Sequence, residues 1–156
     1  MSGQVESIFR QVIVEASQER CFRVFTEQLD AWWPRSHHIG KSPLKKTEFE
    51  TRLGGLWVST SEDGSRDTIG RIVAWEPPAR FVVTWEIDGD WKCDPSFVTH
   101  VEVNFISEGP KRTRVTIEHR DLHRYGVKRE AFTTSIGGPG GWQGLLERFA
   151  KQALLE

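Results

Sequence analysis

Between positions 7 and 16, SIFRQVIVEA, apolar and polar side chains alternate and β-branched residues are frequent, which predicts a first strand. From Ser17 the period changes. Cys21, Phe22, Phe25, Leu29, Trp32 and Trp33 recur with the spacing of a helix that buries one stripe. Ser17 offers an N-cap and Pro34 ends the segment, which fits one helix or two short ones in succession. After a polar loop at 35–42, alternation returns. Strands are predicted at 46–53, 56–61, 68–75, 80–87, 97–107 and 112–119, punctuated by Gly54-Gly55, Asp63-Gly64, Pro77-Pro78, Asp88-Gly89 and Gly109-Pro110. Links this short join neighbouring antiparallel strands, so the expected product is a meander.

The alternation also assigns faces. Phe81, Val83, Trp85 and Ile87 share one side of their strand, as do Val101, Val103 and Phe105 on the next and Val115 and Ile117 on the last. The opposite positions, among them His100, Glu102, Asn104, Thr116, Glu118 and Arg120, are polar, so one face is apolar and the other wet. Trp75 shares its parity with Arg71 and Val73, which leaves its direction open. In the closing stretch GPGGWQGLLERFAKQALLE, Trp142, Leu145, Leu146, Phe149 and Ala153 recur at helical steps, and a shorter helical stretch is expected at 127–136. No repeat or linker divides the chain, and 1–156 reads as one α+β domain: strand, helix, six-strand meander, long C-terminal helix. A strongly curved antiparallel sheet of about seven strands gripping that helix satisfies every apolar face.

Composition adds a second theme. Seven tryptophans and nine phenylalanines exceed what a 156-residue core needs, and wide flat rings equally suit the wall of a ligand cavity. The residues of inward parity or buried helical stripe, Trp32, Trp33, Trp57, Phe81, Trp85, Val103, Phe105, Ile117, Trp142, Leu145, Leu146 and Phe149, are expected to line such a pocket, with His119 at its edge. The 21 basic and 22 acidic side chains nearly cancel, giving no field to attract nucleic acid or an anionic membrane. The basic clusters at Lys41, Lys45-Lys46 and Lys111, Arg112 and Arg114 read as solvated loops. Cys21 and Cys93 lack CxxC spacing and read as free thiols. No basic-then-apolar leader opens the sequence and no run is long enough to span a bilayer, so a cytoplasmic location is expected.

Candidate chemistry is sparse. His119 has the parity of Val115 and Ile117, where an imidazole either orients a ligand carbonyl and moves a proton or is satisfied by a backbone carbonyl at the cavity rim. His119 and His123 have HxxxH spacing, but the first lies in a strand and the second beyond it, so metal-ligand geometry is not expected. His37-His38 belong to a loop near the expected cavity mouth or are simply exposed. Glu48, Glu76, Glu86 and Glu102 are assigned to the surface, Glu86 and Glu102 by their wet-face parity. There is no GxSxG, no cysteine motif and no phosphate-loop pattern, so neither metal nor organic cofactor is expected. The glycines of IGGPGGW are expected to let the start of the final helix lift, with the 35–42 loop as another movable edge.

FTEQLDAWWP, LGGLWV, GRIVAWEPPARFVVTWEIDG and the closing GGWQGLLERFA, together with the order of elements, resemble the SRPBCC or START-like superfamily. Within it they resemble the branch named for the C-terminal domain of the activator of heat-shock-protein-90 ATPase, over positions 8–155. The resemblance implies the helix-grip fold, with a cavity between sheet and C-terminal helix. Members bind lipids, hormones or polyketides, some are cyclases or hydrolases, and the namesake is a co-chaperone whose additional chaperone-binding domain has no counterpart here. It supplies no catalytic motif. Three functions are therefore expected in order: binding of a small apolar or aromatic molecule, a chaperone-type protein interaction, and a cavity enzyme with His119 or a nearby carboxylate as base.

Overall fold

In a computed structural model, which describes residues 7–155, strands β1 (Ile8–Val14), β2 (Leu44–Phe49), β3 (Leu56–Ser61), β4 (Arg66–Glu76), β5 (Arg80–Trp85), β6 (Thr99–Gly109) and β7 (Arg112–Arg120) form a single sheet. The order β1-β7-β6-β5-β4-β3-β2 is a meander whose far edge is taken by the N-terminal strand. All pairs are antiparallel. The first six residues, read above for a leader, lie outside the described part.

Helix α1 (Gln18–Glu27) starts where Ser17 Oγ accepts the Arg20 amide at 3.2 Å. The apolar stripe then breaks at Gln28, whose φ of −118° and ψ of 29° leave the helix, and resumes in α2 (Leu29–Trp32). Trp33 is extended because Pro34 follows it. A 3₁₀ segment (Leu122–Lys128), kinked at Gly126, leads into α3 (Arg129–Gly137), and α4 (Trp142–Ala153) closes the described chain. At about 1.5 Å per residue α4 is about 18 Å long. It packs against β1, α1, α2 and α3, which completes the helix-grip arrangement. Its stripe of Trp142, Leu145, Leu146, Phe149 and Ala153 is buried as the spacing predicts.

Two sequence expectations need correction, and one question the sequence left open is answered. The second strand ends at Phe49 and not at 53, since the Arg52 amide bonds the Glu50 carbonyl at 2.8 Å and the chain turns, leaving Leu53 exposed. Trp75, whose direction the sequence left open, turns inward. Ile72 pairs with Val83 but Ala74 with Val82, so Val73 is bulged, the faces exchange and the Trp75 ring reaches Phe22 (5.1 Å) and Phe81 (6.1 Å). Glu86 is buried, not on the surface: its carboxylate accepts from Thr84 Oγ1 at 2.6 Å and pairs with Arg71 at 3.2 Å. The close approach of β4 and β5 makes this possible, since a Cβ on Gly70 would sit 1.7 Å from the Thr84 carbonyl oxygen.

The outward face of β6 and β7 carries an ion-pair network in place of apolar packing. Glu102 accepts from Arg80 Nε at 2.8 Å and from Asn104, and also pairs with Arg120. These partners, Arg80 foremost, hold its carboxyl down at about 2 against a smaller opposing effect of burial.

Candidate functional site

A cavity of about 360 Å³ opens between the sheet and the start of α4. Four tryptophans from four segments define its interior: Trp57 on β3, Trp85 on β5, Trp142 at the first turn of α4, and Trp33 just after α2. They form a closed ring of edge-to-face neighbours, with centroids at 5.5 Å (Trp33 to Trp57), 5.8 Å (Trp57 to Trp85), 5.7 Å (Trp85 to Trp142) and 6.4 Å (Trp142 to Trp33). Such pairing sets the positive edge of one indole against the negative face of the next. Ile69, Ile87, Ile136 and Leu145 fill the gaps, and among the described residues no carboxylate, lysine or arginine lines the wall.

The indole nitrogens fix these rings from behind. Trp33 Nε1 donates to the His37 carbonyl at 2.8 Å, Trp57 Nε1 to Thr47 Oγ1 at 2.9 Å, and Trp142 Nε1 to His119 Nδ1 at 3.1 Å. Trp85 Nε1 is buried and has no hydrogen-bond partner. Three of the four donors are thus committed away from the lumen, and the rings turn apolar surface toward it.

His119 anchors this system from outside the cavity. It is fully buried, its Nδ1 accepts from Trp142, and its Nε2 lies 2.8 Å from Thr99 Oγ1, which itself donates to the Trp85 carbonyl at 3.0 Å. With Nδ1 an acceptor and the Thr99 proton committed, the ring is the neutral Nε2–H tautomer. Burial holds its pKa down at about 3, outweighing the attraction of Asp121. The imidazole is therefore satisfied, as one of the two readings of the sequence expected, but by a hydroxyl and an indole and not by a carbonyl at the rim. It does not line the cavity, and both nitrogens are occupied. His123 is exposed on the 3₁₀ segment.

Polar groups gather at the mouth. His37 Nε2 donates to the Gly140 carbonyl at 2.6 Å, Ser36 Oγ donates to His37 Nδ1 at 3.1 Å, and Ser36, His38, Ser59 and Ser135 complete the polar part of the lining. The His37 bond clasps the loop after α2 to the glycine-rich turn before α4. These two segments are the ones whose sequences suggested movable edges.

Of the residues expected in the pocket, Trp33, Trp57, Trp85, Trp142 and Leu145 line this cavity. Trp32, Phe81, Val103 and Ile117 lie deeper, around a void of only about 10 Å³ that Trp33, Trp57 and Trp142 separate from the main space. Phe105, Leu146 and Phe149 border neither space and pack in the core, where Phe149 meets Phe25 at 5.0 Å. Trp91, Ile69, Ile87 and Ile136 line the cavity without having been singled out. Both cysteines are free, and burial raises the Cys93 thiol to about 11. Among the described residues no cluster of three or more metal-ligating side chains occurs, and no helix is long and apolar enough to cross a membrane.

Comparison with known proteins agrees with this architecture. The chain is similar over 97% of its length to an anthrahydroquino-gamma-pyrone synthase, Txn09, at 36% identity, covering 99% of that chain with a TM-score of 0.67. It is also similar to the self-sacrificing resistance protein CalC from Micromonospora echinospora, at 29% identity over 94% of this chain and 93% of that one, with a TM-score of 0.67. No curated protein matches the chain. The family model for activator of Hsp90 ATPase homolog 1-like proteins matches residues 15–153, nearly the whole chain, and the chain belongs to that family.

Proposed function

We propose that the protein binds a flat, uncharged aromatic molecule of small to moderate size in the cavity walled by these four tryptophans. The observation that carries this reading is the ring itself. Four indoles in edge-to-face contact, three of them tied back by hydrogen bonds, form the buried part of the wall of a cavity of about 360 Å³. A wall whose buried part is apolar favours an uncharged guest, because a buried charge without a partner is costly. The histidines and serines at the mouth suit a guest with hydroxyl or carbonyl groups along one edge. The likeness to a synthase named for an anthrahydroquino-gamma-pyrone supports polycyclic, oxygenated aromatics as the ligand class.

That likeness also favours a second reading, in which the bound molecule is cyclised. In it the chain contributes pose and hydrogen bonds, with the His37 and His38 imidazoles as the only titratable groups on the wall among the described residues. Titration of the protein with 1,8-dihydroxyanthraquinone, followed by tryptophan fluorescence and by native mass spectrometry, tests the binding reading. One bound molecule per chain with quenched emission is expected. A chain that binds none, or that is isolated with a chaperone attached and no small molecule, contradicts it.

A further inference from the structure

We infer that Trp91 forms an outer subsite at the cavity rim that selects for ligands long enough to reach past the four buried indoles, an inference that rests on the binding reading above. Trp91 belongs to the cavity lining, yet 40% of it remains exposed, whereas the four ring tryptophans are nearly fully buried. Its backbone is left-handed, with φ of 60°, a conformation that a bulky residue rarely adopts and that glycine or asparagine accepts readily. Turn formation alone does not call for an indole at such a position, and strain of this kind concentrates where a side chain must be aimed.

The loop that holds it is rigidly tied. The Trp91 amide donates to the Asp88 carbonyl at 3.0 Å, and Asp88 Oδ1 accepts the amides of Asp90 and Lys92 at 2.9 and 3.0 Å. The Asp88 amide donates to the Lys92 carbonyl at 2.9 Å, and Asp90 pairs with Lys128. The indole lies against Phe132, with centroids 5.1 Å apart and planes tilted by 34°. Phe132 in turn stacks on Tyr125 at 3.8 Å and meets Trp85 at 6.4 Å. One aromatic column thus runs from the buried floor of the cavity to its rim and ends in an exposed indole. A fused-ring ligand that lies against the buried indoles and extends to the rim meets the Trp91 indole and stacks on it; a shorter two-ring ligand stays against the buried indoles without reaching it.

The test compares 1-naphthol, with two fused rings, and 1,8-dihydroxyanthraquinone, with three, on wild type, Trp91→Asn and Trp91→Phe. Asparagine keeps the left-handed turn, and phenylalanine keeps a smaller ring if asparagine impairs folding. Loss of one aromatic contact is expected to weaken the anthraquinone by about five- to tenfold in Trp91→Asn, and less in Trp91→Phe. For 1-naphthol the change is expected to stay within about twofold, with little movement of the thermal midpoint. Equal loss for both probes, loss for neither, or a wild type that takes 1-naphthol and refuses the anthraquinone overturns the outer subsite while leaving the inner cavity reading intact. A wild type that binds neither probe overturns both.

Discussion

Trp142 Nε1 donates to His119 Nδ1 across 3.1 Å, so the residue that starts the C-terminal helix is aimed by a histidine on the last strand of the sheet. The bond joins lid to scaffold. Trp142→Phe removes the donor and leaves a buried ring nitrogen unsatisfied, which is expected to cost about 1–3 kcal/mol in addition to the lost indole volume. A double-mutant cycle with His119→Leu, measured by urea unfolding, is expected to return a coupling of about 1 kcal/mol. Additive effects would show that the bond contributes nothing to docking of the helix.

His119 also makes a pH prediction. Its folded pKa is depressed from 6.5 to about 3, so the stability that the neutral ring contributes is complete above pH 6.5 and is lost as pH falls toward 3. The slope reaches at most about 1.4 kcal/mol per pH unit. Glu102, depressed from 4.5 to about 2, contributes in the same direction but only below 4.5, leaving the window from 6.5 to 4.5 to distinguish the histidine. Urea unfolding at intervals across that window is expected to show falling stability in wild type and a flatter profile in His119→Gln. Parallel profiles would contradict a buried neutral imidazole.

The two glycines before α4 are not equivalent. A Cβ on Gly141 would lie 2.0 Å from the Ile136 carbonyl oxygen, while one on Gly140 meets nothing within 4 Å. Gly141→Ala is expected to lose about 1–3 kcal/mol or more, and Gly140→Ala to remain within about 0.5 kcal/mol of wild type. Thermal unfolding of the single variants checks this. Only Gly140→Ala is then a usable probe of lid motion, since replacing both residues disturbs the turn itself.

Ligand exchange is expected to depend on the clasp between His37 and Gly140. His37→Ala should speed dissociation of 1,8-dihydroxyanthraquinone by about threefold to tenfold, the weight of one hydrogen bond, when bound protein is mixed with excess competitor in a stopped-flow instrument. An unchanged rate would place the ligand's path elsewhere.

Much of the fold could be read from the sequence because alternation and turn residues act locally. The helix stripe from Cys21 to Trp33 and the turn at Asp63-Gly64 needed no knowledge of the remainder of the chain. Trp75 and Ile69 escaped that reading because bulges in β4 shift the register where Ile72 and Ala74 pair with β5, and where Gly70 and Thr68 pair with β3. Parity assumes an unbroken ladder. Phe105 and Leu146 face inward as predicted, but inward parity does not distinguish a wall from a packed core. Trp91 lay in a turn, where no period operates, and only the returning chain from Asp88 to Lys92 brings it to the mouth.

The seven indole N–H signals provide the most direct measurement of the central claim, that an aromatic ligand occupies the tryptophan-walled cavity. In a ¹H–¹⁵N correlation spectrum, with signals assigned by single Trp→Phe variants, 1,8-dihydroxyanthraquinone is expected to shift Trp33, Trp57, Trp85, Trp91 and Trp142, which line the cavity. Trp75, packed between Phe22 and Phe81, is expected to stay in place. Shifts confined to Trp75 or to Trp91 alone, or an unchanged spectrum at saturating ligand, would contradict binding within the cavity.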